Sequence, residues 1–130
     1  MEIYNPTPFP VDLDQYGLAI ASDGADTPGT FDVWNSFAPG AQVPANGVYV
    51  ICDSSADATI QASCDAQSTL PFDGNDALCI AYGTGASDHQ LLDCIGDFQA
   101  APAGGGWDVC GVSAATQDRT LTRKASVTKG

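Results

Sequence analysis

Hydrophobic and polar residues alternate along much of the chain, and this alternation predicts β-strands. In the segment PVDLDQYGLAI, Val11 and Leu13 alternate with Asp12 and Asp14, as in a strand with one buried face. The segments with strand patterns are 2–5, 10–20, 30–37, 48–52, 77–82, 91–96, 107–112 and 119–127. Turn-forming residues separate these short segments, so the pattern predicts an all-β protein with a β-sandwich fold.

One stretch, SSADATIQASCDA at 54–66, has a helical pattern instead. Ala56, Ile60 and Cys64 recur every fourth residue, and Ser54 or Ser55 is placed to cap the helix. Further along, the strand segments ALCIAY and LLDCIG are separated by GTGASDHQ. We expect these two strands to form a hairpin joined by that long loop.

Composition narrows the class of protein and the class of partner. A chain of 130 residues is the size of a single domain, spanning 1–130. Its sixteen acidic residues include fifteen Asp, a residue that favours turns over helix interiors. A net charge of −12 disfavours nucleic acid and anionic membranes as partners. No apolar run is long enough to span a membrane, and no signal peptide is evident.

Five cysteines in so short a chain indicate an oxidising, extracellular compartment. They are Cys52, Cys64, Cys79, Cys94 and Cys110, and none has the C-x-x-C spacing of zinc or redox sites. Two bridges would leave one cysteine over, and five free thiols in a cytosolic protein is the alternative. Cys52 ends a predicted strand and Cys64 ends the predicted helix, so a local bridge between these two is sterically natural.

Signals for an enzyme are weak. His89 is the only histidine and we expect it in a solvated loop, where adjacent Ser and Asp residues point apart. The glycines at 104–106 lack the Lys-Ser/Thr sequence of a phosphate-binding loop. Trp34 and Trp107 are expected to pack against the protein rather than stack on sugars. The sequence therefore predicts a protein that is not an enzyme.

Calcium is the candidate cofactor, because loops dense in Asp can supply the oxygen ligands that this cation takes. The segment FDGNDAL offers Asp73, Asn75 and Asp76, and the segment SDGAD offers Asp23 and Asp26. Neither completes an EF-hand loop. The alternative is that both are ordinary turns without a metal, and no other cofactor is predicted.

Several segments together resemble the lamin tail domain, and most closely its extracellular, cysteine-rich branch. They are EIYNPT, VDLDQYGL, ANGVYVIC, FDGNDALCI, LLDCIGDF and GGGWDVCGVSAATQDRTLTRK, in this order. The resemblance implies an immunoglobulin-like β-sandwich. That family usually has one strand before EIYN, so the chain is expected to be an excerpt of a longer protein or to expose an unpaired sheet edge.

The resemblance also implies roles for particular residues. TLTRK, at 120–124, would be a closing strand with Leu121 in the core. Together with the preceding Arg119, it forms a cluster of three of the four basic residues: Arg119, Arg123 and Lys124. The arginines would pair with nearby carboxylates, for which the candidates are Asp93, Asp97, Asp108 and Asp118. The family fold would bring Cys94 close to Cys110, with Cys79 competing for either.

Together these observations predict a non-catalytic extracellular structural or interaction module. Its partners would be copies of itself or neighbouring modules, joined through edge strands into a surface filament or matrix. The alternative is an accessory domain of a secreted hydrolase that binds substrate, carbohydrate or calcium.

Overall fold

The computed structural model describes residues 1–98, 101–102 and 104–127, and over these residues the protein is nearly all β. The all-β class predicted from the sequence is confirmed, and the arrangement in several sheets with two disulfides is consistent with the predicted sandwich. The elements are β1 (Glu2–Tyr4), β2 (Val11–Asp12), β3 (Tyr16–Ala21), β4 (Val33–Ser36), β5 (Gln42–Val43), β6 (Val48–Asp53), α1 (Ala58–Gln61), β7 (Ala66–Ser68), β8 (Ala77–Gly85) and β9 (Asp88–Ile95).

The chain divides into two compact units. The first unit is formed by Met1–Gln15 and Phe37–Leu70, and the second by Tyr16–Ser36 and Pro71–Gly130. The first unit holds a three-stranded sheet in the order β1-β6-β7, in which β6 and β7 are parallel, and the small pair β2-β5. That residues 1–130 form a single domain stays a prediction.

The second unit is built on an antiparallel sheet of four strands in the order β4-β3-β8-β9. One face of this sheet is lined by small residues, among them Ala19, Cys79 and Ala81, which are fully buried. Larger side chains pack against them: Phe31, Trp34, Leu91, Phe98 and Trp107. Small residues on the strands thus leave room for aromatic rings above the sheet.

Gly17 shows how closely one of those rings approaches the sheet. A Cβ atom at position 17 would lie 2.4 Å from Cε2 of Trp34. The indole therefore lies directly against the backbone of β3, and its Nε1 donates a hydrogen bond to Ser36 Oγ at 3.1 Å. This places Trp34 in a packing role, as the sequence predicted.

The hairpin of β8 and β9 differs from the prediction of a long loop. Both strands extend through the expected loop, and only residues 86–87 form the turn between Gly85 and Asp88. The ladder contains two irregularities, an extra residue at Thr84 in β8 and another at Leu92 in β9. Because one lies on each strand, they cancel, and the register beyond them is restored.

The helix is shorter than predicted and is capped by a different residue. It spans Ala58–Gln61. The Asp57 carboxylate accepts a hydrogen bond from the backbone N–H of Thr59 at 2.8 Å, so Asp57, not Ser54 or Ser55, is the N-cap. Within the described residues, no helix is long and apolar enough to cross a membrane.

The predicted strands at 107–112 and 119–127 are wrong. The first is reduced to an isolated bridge between Val109 and Val112, because Cys110 and Gly111 both have positive φ and turn the chain back on itself. The segment 119–124 has no regular secondary structure. Leu121, predicted to lie in the core, is 43% exposed.

Candidate functional site

Two disulfides brace the chain, one in each unit. Cys52 on β6 is joined to Cys64, which follows α1, so this expected local bridge is confirmed. Cys94 is joined to Cys79 and not to Cys110. The reason is register: Cys79 and Cys94 lie directly opposite each other on β8 and β9, with Cα atoms 4.1 Å apart. Cys110 is a free, exposed thiol.

The two disulfides indicate an oxidising environment. Both join residues close in the chain, with separations of 12 and 15 positions. Each therefore closes a short loop and secures local structure, the β6–α1 connection in one case and the β8–β9 hairpin in the other.

In the second unit, the structure brings together the two acidic loops that the sequence presents separately. Carboxylate oxygens of Asp23, Asp73 and Asp76 all lie within 4.8 Å of one another, whereas Asp26 is not in this group. Asp23 follows β3 and Asp76 immediately precedes β8. Since β3 and β8 are antiparallel neighbours paired at Ala21 and Ala77, these two loops meet at the same end of the sheet.

Asp76 holds the two loops together through backbone hydrogen bonds. It is only 9% exposed. Its Oδ1 accepts a hydrogen bond from the N–H of Asp23 at 3.0 Å, and its Oδ2 accepts one from the N–H of Asp73 at 2.9 Å. Asn75 adds a third link, because its Nδ2 donates to Oδ1 of Asp23 at 2.9 Å. The buried carboxylate thus links the two loops, and we call Asp76 with its partners Asp23, Asp73 and Asn75 the clasp.

A later segment of the chain also holds this acidic loop through hydrogen bonds. Trp107 Nε1 donates a hydrogen bond to the carbonyl oxygen of Asp76 at 2.9 Å. Thr116 Oγ1 donates to the carbonyl oxygen of Gly74 at 2.5 Å and accepts from the N–H of Trp107 at 2.7 Å. The block GGGWDVCGVSAAT therefore fixes the acidic loop, and Trp107 packs as predicted.

The carboxylates of this clasp, together with the amide oxygen of Asn75, are the oxygen types that calcium takes. Asn75 Oδ1 is buried and accepts no hydrogen bond from any described residue. However, both oxygens of Asp76 already accept backbone hydrogen bonds, so the clasp has a structural explanation without a metal. Calcium binding by Asp73, Asn75 and Asp76 stays a prediction.

Arg123, of the basic cluster predicted at the end of the chain, contacts Asp93 on β9. Arg123 Nη2 lies 2.6 Å from Asp93 Oδ1, and the two side chains are 38% and 43% exposed. This is one of the pairings that the sequence anticipated. The other described basic residues of the cluster, Arg119 and Lys124, are exposed. Because the ion pair is solvated, it contributes at most about 1 kcal/mol to stability.

Strand β9 itself is an edge strand. It pairs with β8 on one side, and none of the described strands pairs with its other side. Leu92 and Ile95, two of its apolar residues, are each 45% exposed. Sequence reasoning missed this edge because it placed residues 119–127 in the sheet as a closing strand.

His89 lies on β9 and not in a loop, which corrects the sequence-based expectation. Its ring is half-buried against Phe31, with ring centroids 4.9 Å apart, and also near Trp34 at 6.2 Å. Its Nδ1 is buried and has no hydrogen-bond partner among the described residues. The ring therefore packs in an aromatic cluster.

Three groups of the first unit have shifted pKa values. Hydrogen bonds from the Ser55 side chain and from the backbone N–H groups of Leu70 and Ser55 lower the pKa of Asp53. The backbone N–H and side chain of Thr59 likewise lower the pKa of Asp57. Burial, with a smaller contribution from Asp65, raises the pKa of Tyr49. The shifts at Asp53 and Asp57 belong to a turn and a helix cap, and that at Tyr49 to burial on β6, so all three are structural features.

No protein-family model, curated protein or solved structure matches this chain. The resemblance to the lamin tail domain therefore stays a prediction.

Proposed function

We propose that this protein is a non-catalytic extracellular module that assembles with copies of itself through the open edge of β9. The single observation that carries the proposal is this eight-residue edge strand with its exposed apolar residues. An unpaired row of N–H and C=O groups is a template for another strand. The opposite edge, β4, has four residues and offers a shorter template.

The disulfides and the surface charge support an extracellular setting for such a module. Bridges persist outside the cell and are rare in the cytosol. A strongly acidic surface keeps separate copies soluble, because like charges repel at a distance. Docking of one copy at the β9 edge of another is opposed by this repulsion, which salt screens, so assembly should strengthen as ionic strength rises.

The bulge at Leu92 gives the edge its selectivity. The extra residue interrupts the ladder between Leu91 and Asp93 and so divides the open edge into two short stretches, each with its own register. Bulges and charged residues on edges are common devices against indiscriminate pairing. A partner with complementary charge and register is favoured over an arbitrary strand.

The test compares two variants that each place Lys at exposed apolar positions. Leu92→Lys with Ile95→Lys alters β9, whereas Ile60→Lys alters an apolar residue of α1 that is 56% exposed. Both are made with Cys110→Ser, which removes intermolecular disulfides. Sedimentation velocity at high salt should show association of the parent and the Ile60 variant, and none of the β9 variant. Equal association of all three would contradict the proposal.

A further inference from the structure

We infer that the basic segment 119–124 of a second copy is the strand that occupies the open edge of β9. This inference rests on the proposed function and names the occupant of the same edge. The segment RTLTRK alternates Thr with Leu and Arg, a pattern with high strand propensity, yet it has no regular structure in the single chain.

The contact between Arg123 and Asp93 sets the register. In an antiparallel alignment with Arg123 opposite Asp93, Leu121 comes opposite Ile95, since residues two positions apart on each strand stay paired. Leu121 is 43% exposed and Ile95 is 45% exposed. One alignment therefore matches a charge pair and buries two exposed apolar side chains on the same face.

This alignment ends at Ile95, because Gly96 has a positive φ of 81° and the strand stops there. A parallel alignment is inferior, because it would bring Leu121 to Leu91, which already packs against the core of the second unit. Charge and hydrophobicity thus favour a single direction and a single register.

A second copy is favoured over the segment's own β9. In the single chain the ion pair is formed at 2.6 Å, but no ladder accompanies it, and both Leu121 and Ile95 remain exposed. Two copies that exchange their segments satisfy both open edges at once, as isologous interfaces do. The ion pair within one chain would be replaced by the same pair between chains.

Charge reversal tests whether the contact forms between chains. One variant carries Asp93→Arg and the other carries Arg123→Asp, at side chains that are 43% and 38% exposed. Each alone places like charges together and should assemble poorly. An equimolar mixture restores both opposite-charge pairs in an exchanged dimer, so its association should return to near that of the parent. A mixture that fails to recover would overturn the inference.

Proline substitution tests whether the segment acts as a strand. Thr120→Pro with Thr122→Pro removes two backbone N–H groups from the donated strand, which should weaken association roughly tenfold or more. The control is Ala125→Pro. This residue occupies the second position of the turn closed by the hydrogen bond from Val127 N–H to the Lys124 carbonyl, where proline is favoured.

The outcomes separate the inference from the function on which it rests. Association that survives the double proline variant would overturn the segment as occupant while leaving assembly through β9 intact. A parent that stays monomeric at all salt concentrations would overturn the proposed function and the inference with it. Circular dichroism of each variant establishes that its fold is retained.

Discussion

Cys79 and Cys94 lie directly opposite each other in the β8–β9 ladder, and the disulfide between them crosses two antiparallel strands. Cys79 is fully buried. The bridge links the edge strand β9 to its neighbour beside the aromatic cluster that covers the sheet. The disulfide therefore holds β9 to β8 on one side, while the other side of β9 is open to a partner strand.

Removing this bridge should destabilise the protein. Cys79→Ala with Cys94→Ala is expected to lower the free energy of unfolding by about 2–4 kcal/mol, as measured by urea denaturation. Cys110→Ser, at the exposed free thiol, should change it by less than about 0.5 kcal/mol. Peptide mapping of the parent must find Cys79 linked to Cys94; a link from Cys94 to Cys110 would contradict this account.

The sequence predicted the β class and the Cys52–Cys64 bridge because both depend on local patterns. It left the partner of Cys94 open between Cys110 and Cys79, because pairing on a hairpin depends on turn length and register. The two bulges at Thr84 and Leu92 cancel; Gly83 and Gly85 flank the first, whereas no local pattern in the sequence marks the second. Likewise, Asp23 and Asp76 are 53 positions apart, and only the pairing of β3 with β8 brings them together.

The clasp at Asp76 should contribute strongly to stability. Asp76→Ala leaves two backbone N–H groups of the acidic loops without their acceptor, and we expect a loss of about 1–3 kcal/mol in the free energy of unfolding. Asp26→Ala is the matched control, because Asp26 is an exposed acid of the same region. Equal effects of the two substitutions in urea denaturation would contradict the role of Asp76.

The predicted calcium site is tested at the same loops. If Asp73, Asn75 and Asp76 bind calcium, millimolar calcium should raise the melting temperature of the parent and not that of Asp73→Asn. Asp57→Asn, at the N-cap of α1 in the first unit, should keep the response. An unchanged melting temperature in the parent would show that the calcium prediction is wrong, and the hydrogen bonds of Asp76 would remain as a structural feature.

The close approach of Trp34 to Gly17 predicts a large effect from one methyl group. Gly17→Ala would place Cβ 2.4 Å from the indole and should cost about 1–3 kcal/mol of unfolding free energy. Gly104→Ala is the control, since a Cβ there meets no atom within 4 Å. Thermal denaturation followed by tryptophan fluorescence distinguishes the two, and a neutral Gly17→Ala would contradict the packing described.

Acid should weaken the first unit through Asp53 and Asp57. Because the fold lowers the pKa of both carboxyls from 3.8, their stabilisation is present above that value and is lost as pH falls through the folded pKa. We expect Asp53→Asn with Asp57→Asn to show a shallower fall in unfolding free energy between about pH 4 and pH 2 than the parent. Parallel pH profiles for the two proteins would contradict this assignment.

The measurement that tests the central claim most directly is the solution mass of the oxidised Cys110→Ser protein by sedimentation equilibrium, at low salt and at about 0.5 M salt. We expect a monomer at low salt and discrete oligomers at high salt, because screening lets the acidic copies associate at β9. A monomer under both conditions would contradict assembly through this edge.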